Sequence, residues 1–224
     1  RDHPQVRLIW EVKSEYEHLK DGSKRGATVA IRYTAEGSDL HNDMLVHQTA
    51  TVPQRFYMTD GEDMYKGVGM TACLYLQIGS GELLLRARDP KVQPHLNYNY
   101  FREEEDLRRM RECVRLCAEV GEGASYKSIV TKRVQPSEKE LQDDDLLDLW
   151  IRKNSSTSHH ISSTCKMGPE SDSMAVVDQY GKVHGIENLR VADASIMHDC
   201  VRANTNVPSM MVGEKVAEFI KQGK

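Results

Sequence analysis

This 224-residue sequence has neither a long apolar run nor an excess of basic charge. No stretch approaches the roughly 18 consecutive apolar residues of a transmembrane helix, so no membrane span is expected. Lysine and arginine total 30 against 34 aspartate and glutamate, a net charge of −4. Without a basic stripe, a nucleic-acid partner is set aside. Cysteine is scarce, with five residues and no Cys-x-x-Cys pair. That odd count supports neither a disulfide framework nor a zinc ribbon. Buried free thiols and a cytoplasmic setting are expected instead. Nothing resembling a signal segment opens the chain. Arg1-Asp2-His3-Pro4 runs directly into an apolar stretch, as if cut from a longer protein. The length suits one large domain or two small ones.

The first hundred residues read mainly as strands. Val6–Val12, Ala27–Tyr33, Met44–Val52 and Gly67–Ile78 are rich in apolar and β-branched residues. Asp21-Gly22 marks a turn, and Gly79-Ser80-Gly81 predicts a hairpin from Gly67–Ile78 into Glu82–Arg88. Glu103–Glu119 has an apolar stripe at helical spacing behind an acidic start. Ser137 and Glu140 form a capping box that opens a helix running to Ile151. Asp143-Asp144-Asp145 is read as a solvated helix face, since three consecutive side chains point in different directions. After the linker Asn154–Ser158, Leu189-Arg190-Val191-Ala192 reads as a buried strand. A final helix begins near Asn206 and Pro208, with Met210, Gly213, Ala217 and Ile220 on one stripe.

Two patches carry groups suited to chemistry. In His159–Gly168 (HHISSTCKMG) a loop histidine offers an acid or base near neutral pH. In Arg190–Pro208 a strand ends at Asp193-Ala194-Ser195, and a loop then leads through Asn204-Thr205-Asn206 into a helix N-terminus. Such a terminus presents free N–H groups and partial positive charge. Alone, each patch has an ordinary structural explanation: a loop histidine and a capped terminal helix. Cys165 lies five residues beyond His160, but no other Cys/His pair has zinc spacing, so no metal is expected.

Together the motifs say more. His160 precedes Thr164-Cys165-Lys166-Met167-Gly168 by four positions. Met174–Asp178 (MAVVD), the turn Tyr180–Gly185, ENLRVADASIM and ANTNVPSMMVGEK follow in order. This arrangement closely resembles the C-terminal signature of the glucose–methanol–choline (GMC) oxidoreductase family, in its choline dehydrogenase-like form. Arg1–Pro4 resembles the end of that family's GxGxNLxDHP segment, and Gly79–Pro90 with Asn97–Tyr100 resembles a further family stretch.

The resemblance implies a mixed α+β and α/β fold. Residues 1–153 would be mainly an antiparallel-sheet substrate domain. Residues 154–224 would be the C-terminal part of a Rossmann-like FAD-binding domain. It implies oxidation of a small-molecule alcohol, with hydride passing to flavin N5, His160 as base and Asn204, 44 positions later, as its hydrogen-bonding partner. His159, Asp193, Ala194, Asn204, Thr205, Asn206 and Val207 would contact FAD. The GxGxxG loop for the ADP moiety is not in this sequence and would belong to a missing N-terminal portion or to a second chain. A homo-oligomer is compatible with the family. Two alternatives stand beside alcohol oxidation: a hydroxynitrile lyase on the same fold, and a non-catalytic substrate-binding subunit. Ile161-Ser162-Ser163 replaces the family's Pro-x-Gly, Ala203 a common glycine and His198 a common proline. Met58, Tyr65, Met70, Tyr75 and Tyr98 are candidates for shaping the substrate pocket.

Overall fold

In the computed structural model, residues 1–20, 29–49 and 68–224 are described. The strands are β1 (Pro4–Val12), β2 (Ala30–Tyr33), β3 (Met44–Thr49), β4 (Val68–Leu74), β5 (Glu82–Leu84), β6 (His95–Asn97) and β7 (Val130–Gln135). The helices are α1 (Glu104–Gly121), α2 (Ala124–Lys127), α3 (Glu138–Gln142), α4 (Asp144–Asn154) and α5 (Asn206–Lys221). Met58, Tyr65 and the Asp21-Gly22 turn lie outside the described residues, as do parts of the expected second, third and fourth strands.

β1 follows the period-two rule. Val6, Leu8, Trp10 and Val12 are buried while Gln5, Arg7 and Glu11 alternate with them at partial exposure. Its neighbour β4 is buried at every position, as expected of a strand covered on both faces. Along the path β2-β3-β4-β1-β7 each pairing is antiparallel, with Leu8 opposite Met70 and Val46 opposite Ala72. α1 lies on β4, β1 and β3. Leu107, Met110, Cys113, Val114, Cys117 and Ala118 form its buried face, and Glu104, Glu105 and Asp106 sit at its positive end. These elements form one of two compact units, Pro4–Leu74 with Glu103–Ser156.

The other unit contains Arg1–His3, Tyr75–Arg102 and Thr157–Lys224. A single boundary near residue 153 does not describe this partition, because Tyr75–Arg102 group with the C-terminal segment. Its core is Val177, Ile196 and Val216, packed against Met167, Val176, Val183, Val191 and Val212.

Four expectations change. Glu82–Leu84 pairs with His95–Asn97 and not with β4, so the hairpin closes forward along the chain. The helix predicted from Ser137 to Ile151 breaks at Asp143, whose extended backbone (φ −121°) ends α3. Asp143 Oδ1 then accepts the N–H of Leu146 and caps α4, so this aspartate belongs to a cap and not to a helix face. Leu189–Ala192 makes only an isolated bridge between Arg190 and Lys182, and Leu189 and Ala192 are exposed. α5 starts one residue early, with Thr205 at the cap position. It buries Val216, while Met210 and Ile220 are exposed.

Candidate active site

The loop carrying His160 is fixed along its length by backbone hydrogen bonds. Ser158 N–H donates to the His3 carbonyl and Ser162 N–H to the Arg1 carbonyl. Beyond the histidine, Ser163, Cys165 and Met167 donate to the carbonyls of Ala194, Ser195 and Ile196. The Thr-Cys-x-Met segment is thereby laced to the short 3₁₀ turn Ala194–Ile196. Asp193 caps that turn through the Ser195 N–H. His159 (φ +66°) and Ser163 (φ +69°) flank the histidine in the left-handed region, which is uncommon for residues with a Cβ. Where the family has Pro-x-Gly, this chain holds Ile161-Ser162-Ser163 with Ser162 fully buried.

His160 is half-buried, and its Nδ1 lies 3.0 Å from Thr205 Oγ1 and 3.4 Å from the Thr205 N–H. Nε2 has no protein partner among the described residues. Thr205 is buried and directly follows Asn204, so the fold brings the two ends of the 44-residue step together. Burial lowers the His160 pKa and the Asp2 carboxylate opposes it; the charge of His159 also lowers it, while a hydrogen bond to the His159 backbone raises it. A histidine tuned below its ordinary value is neutral at physiological pH and free to accept a proton.

Behind His160 lies a group of residues to which motif reading gave no part in holding the histidine. Asp2, nearly inaccessible, accepts the His160 N–H through Oδ1 at 3.0 Å and the Tyr100 hydroxyl through Oδ2. Burial, then the neighbouring Asp2 charge, raises the Tyr100 pKa, so the phenol remains a donor. His3, fully buried, meets His160 edge-on at 5.3 Å and stacks on Tyr75 at 4.3 Å. Tyr75 Oη lies 3.5 Å from Asn204 Oδ1. Cys200 Sγ sits 3.0 Å from His3 Nε2 and 3.5 Å from the His160 carbonyl. Burial raises the Cys200 pKa and keeps it a thiol. Asp2 and His3 had one signal in the sequence, the Asp-His-Pro run. Tyr100 lay at the end of the Asn97–Tyr100 stretch without a role, and Cys200 had no signal, because their contacts arise only from long-range packing.

The other predicted flavin-contact positions are accessible. His159, Asp193, Asn204, Asn206 and Val207 are exposed and Ala194 is half-buried. The N–H groups of Asn206 and Val207 open α5 without a protein acceptor among the described residues, as expected of a helix first turn. Tyr75 is buried beside the site. Tyr98 packs on Tyr100 at 5.0 Å. Met70 belongs to the sheet core of the other unit. His198 is exposed. The aspartate run makes ion pairs and caps: Asp143 caps α4, and Asp144 pairs with Arg115 at 2.6 Å.

The sequence model of the GMC oxidoreductases matches residues 79–213. The chain belongs to the GMC oxidoreductase family. It is 40% identical over 140 residues to an oxygen-dependent choline dehydrogenase of Sinorhizobium fredii, covering 62% of this chain and 25% of that protein. It is 42% identical over 141 residues to the mitochondrial choline dehydrogenase of Mus musculus, covering 63% and 24%. This GMC chain thus spans about a quarter of the length of the curated relatives it matches. Its fold superimposes on an Aspergillus oryzae formate oxidase studied for FAD modification, with a TM-score of 0.81 at 22% identity, over 99% of this chain and 46% of that one. A pyridoxine 4-oxidase from Mesorbium loti gives 0.79 at 15% identity, over 99% and 43%. These likenesses establish the fold: a GMC arrangement of antiparallel sheet and helices. No described helix is long and apolar enough to cross a membrane.

Proposed function

We propose that this chain forms the catalytic end of an FAD-dependent enzyme that oxidises an alcohol to an aldehyde or ketone, with His160 as the base and Asn204 as its partner. One observation carries this reading. His160 is held through Nδ1 against Thr205, with Nε2 uncommitted, on the residue adjacent to Asn204. The family membership and the choline dehydrogenase relatives support the alcohol as substrate class.

The residues present suit the flavin end of FAD. The α5 opening offers the uncharged N–H donors of Asn206 and Val207, which match carbonyl oxygens of the flavin's pyrimidine side, and its dipole favours negative charge there. Asp193, Ala194 and the backbone of His159 are the further positions assigned to the flavin in this reading. The ADP end calls for a GxGxxG loop, absent from this chain, so that loop comes from sequence outside these 224 residues, in the same polypeptide or in a second one. When bound, FAD supplies the acceptor for the carbinol hydride. His160 Nε2 receives the hydroxyl proton. The Asn204 amide cannot titrate and donates a hydrogen bond to the substrate oxygen as its charge grows. The lowered His160 pKa keeps the base neutral and ready at pH 7.

The decisive experiment is anaerobic stopped-flow reduction of the flavin-loaded protein by a panel of alcohols. His160→Gln should retain flavin absorbance and reduce flavin about 10²–10⁴-fold more slowly. Near-normal reduction in that variant removes His160 from the base role.

A further inference from the structure

The sheet in the unit of Pro4–Leu74 and Glu103–Ser156 has two faces of different chemistry. Gly121, at the end of α1, lies against the Trp10 indole, so the helix covers the face that carries Val6, Leu8 and Trp10. The alternate residues Gln5, Arg7 and Ile9 belong to the opposite face. Register sets Arg7 opposite Thr71 and Thr71 opposite His47, a row of three polar side chains across β1, β4 and β3. Directly opposed Cβ atoms lie about 5 Å apart, so the row spans about 10 Å.

Arg7 is fixed within that row. Its Nε–H donates to Thr71 Oγ1 at 3.2 Å, and Thr71 is fully buried. Its stem passes over Gly69, where a Cβ would lie 3.2 Å from Arg7 Cδ. The missing side chain at that position leaves room for the arginine to lie along the sheet. Arg7 and His47 are both half-buried. One flanking row holds Gln5, Cys73, Leu45 and Arg32, and the other holds Ile9 and Gly69. None of these is a carboxylate. Arg32 adds an exposed cation on the edge strand, and burial keeps Cys73 a thiol. Glu11, further along β1, pairs with Lys132 at 3.4 Å. Burial and then the Arg7 cation lower the His47 pKa, while a hydrogen bond to the Gln48 backbone opposes them. His47 is thus neutral at pH 7, beside a permanent cation.

A guanidinium meets an oxyanion through a planar fork of parallel N–H donors, and partial burial strengthens that preference. One half-buried permanent charge beside a neutral imidazole matches a monoanion, which favours a carboxylate over a phosphate dianion. We infer that the Arg7–Thr71–His47 row is a carboxylate-binding site. The carboxylate takes the Arg7 fork, and His47 can add a proton as the negative charge arrives. A quaternary ammonium is repelled from the same row. The carboxylate is carried either by the alcohol substrate or by a separate small acid. Only the first case rests on the alcohol-oxidation reading.

Acetate is the probe, titrated into histidine-labelled protein with sodium chloride holding the ionic strength constant, while NMR follows the His47 ring signals. In the wild type they should shift saturably. Saturating acetate should raise the His47 pKa, because an anion beside an imidazole favours its charged form. Tetramethylammonium at the same concentrations should leave the signals in place. Arg7→Met keeps the stem and removes the charge, and should weaken acetate binding about tenfold or more. The same variant should raise the His47 pKa of the acetate-free protein, a sign that it is folded and that Arg7 acted on the ring. Arg7→Lys keeps the charge without the fork and should retain part of the binding. No saturable shift in the wild type, or an equal shift in Arg7→Met, overturns the site. In the flavin-loaded protein, a hydroxy acid and its methyl ester locate the carboxylate. If the substrate carries it, Arg7→Met should raise the apparent KM of the hydroxy acid about tenfold or more and leave that of the ester in place. If a separate acid carries it, both substrates respond alike and the acetate result stands. Normal flavin reduction in His160→Gln would remove the base reading and leave the acetate titration untouched.

Discussion

Asp2 Oδ1 accepts the backbone N–H of His160 at 3.0 Å, joining positions 158 apart in sequence. The same carboxylate takes the Tyr100 hydroxyl, so a single buried side chain anchors the histidine loop and opposes the burial that lowers the His160 pKa. Asp2→Asn keeps an acceptor for the N–H and removes the charge. With the charge gone, the largest influence opposing burial is lost, and the His160 pKa falls further. The acid limb of the pH profile for flavin reduction reports the base losing activity as it protonates, so that limb should move to lower pH. Asp2→Ala removes the anchor as well and should slow turnover about tenfold or more. A profile of unchanged position in Asp2→Asn would show that the carboxylate does not act on the ring.

The same lowered pKa affects stability. A histidine whose folded pKa lies below its unfolded value binds more protons when unfolded. As pH drops through the ordinary histidine value of about 6.5, the unfolded state gains relative to the folded one. His160 behaves this way through burial, and so does His47, through burial followed by the Arg7 cation. Stability should therefore be full above about pH 7 and decline below 6.5. Urea midpoints measured at pH 7.5 and pH 5.5 should differ less in His47→Gln than in the wild type.

The sequence made different parts of this architecture legible to different degrees, for physical reasons. α1 could be read because its buried stripe and acidic start are both local. The Ser137–Glu140 capping box could be read for the same reason, since both of its hydrogen bonds span three residues. The break at Asp143 could not, because an aspartate inside an apolar pattern serves equally as a helix face or a cap. β5 was assigned the wrong partner because a glycine turn specifies a reversal but not which strand receives it. At the site, His160 and Asn204 could be proposed from motif order. The Asp2–Tyr100 anchor, and His3 between His160 and Tyr75, depend on contacts across 72 to 158 positions that no local pattern encodes.

Arg109 tests a different part of the molecule. Its guanidinium is fully buried on α1 and pairs at 2.6 Å with Asp43 and with Asp106. Asp43 also accepts the Ala35 N–H and the Ser38 hydroxyl, tying the turn before β3 to the helix. Removing one partner from a buried ion pair strands the other charge in a medium that solvates it poorly. Asp43→Ala should cost about 3–5 kcal/mol by urea unfolding. Joint replacement of Arg109, Asp43 and Asp106 by apolar residues of similar volume should cost much less. A loss below about 1 kcal/mol in Asp43→Ala would mean that the pair is hydrated or rearranges.

Gly181 separates two kinds of constraint on one residue. Its φ of +76° lies in the region that glycine enters freely, and a Cβ there would lie 2.7 Å from the Val191 carbonyl oxygen and 3.2 Å from Val216 Cγ2. The carbonyl belongs to backbone that cannot swing away, because Val191 N–H is bonded to the Gly181 carbonyl at 2.9 Å. Asparagine tolerates the left-handed region better than alanine but carries the same Cβ. If backbone conformation dominated, Gly181→Asn would be clearly milder than Gly181→Ala. The close approach to Val191 should dominate instead. Both variants should lose a similar 1–3 kcal/mol, roughly the penalty for overpacking a fixed core. Val191 and Val216 belong to the core against which the Ala194–Ile196 turn is set. Both variants should therefore also loosen the His160 loop, seen as faster amide exchange at Cys165 and Met167, whose N–H groups are bonded to that turn.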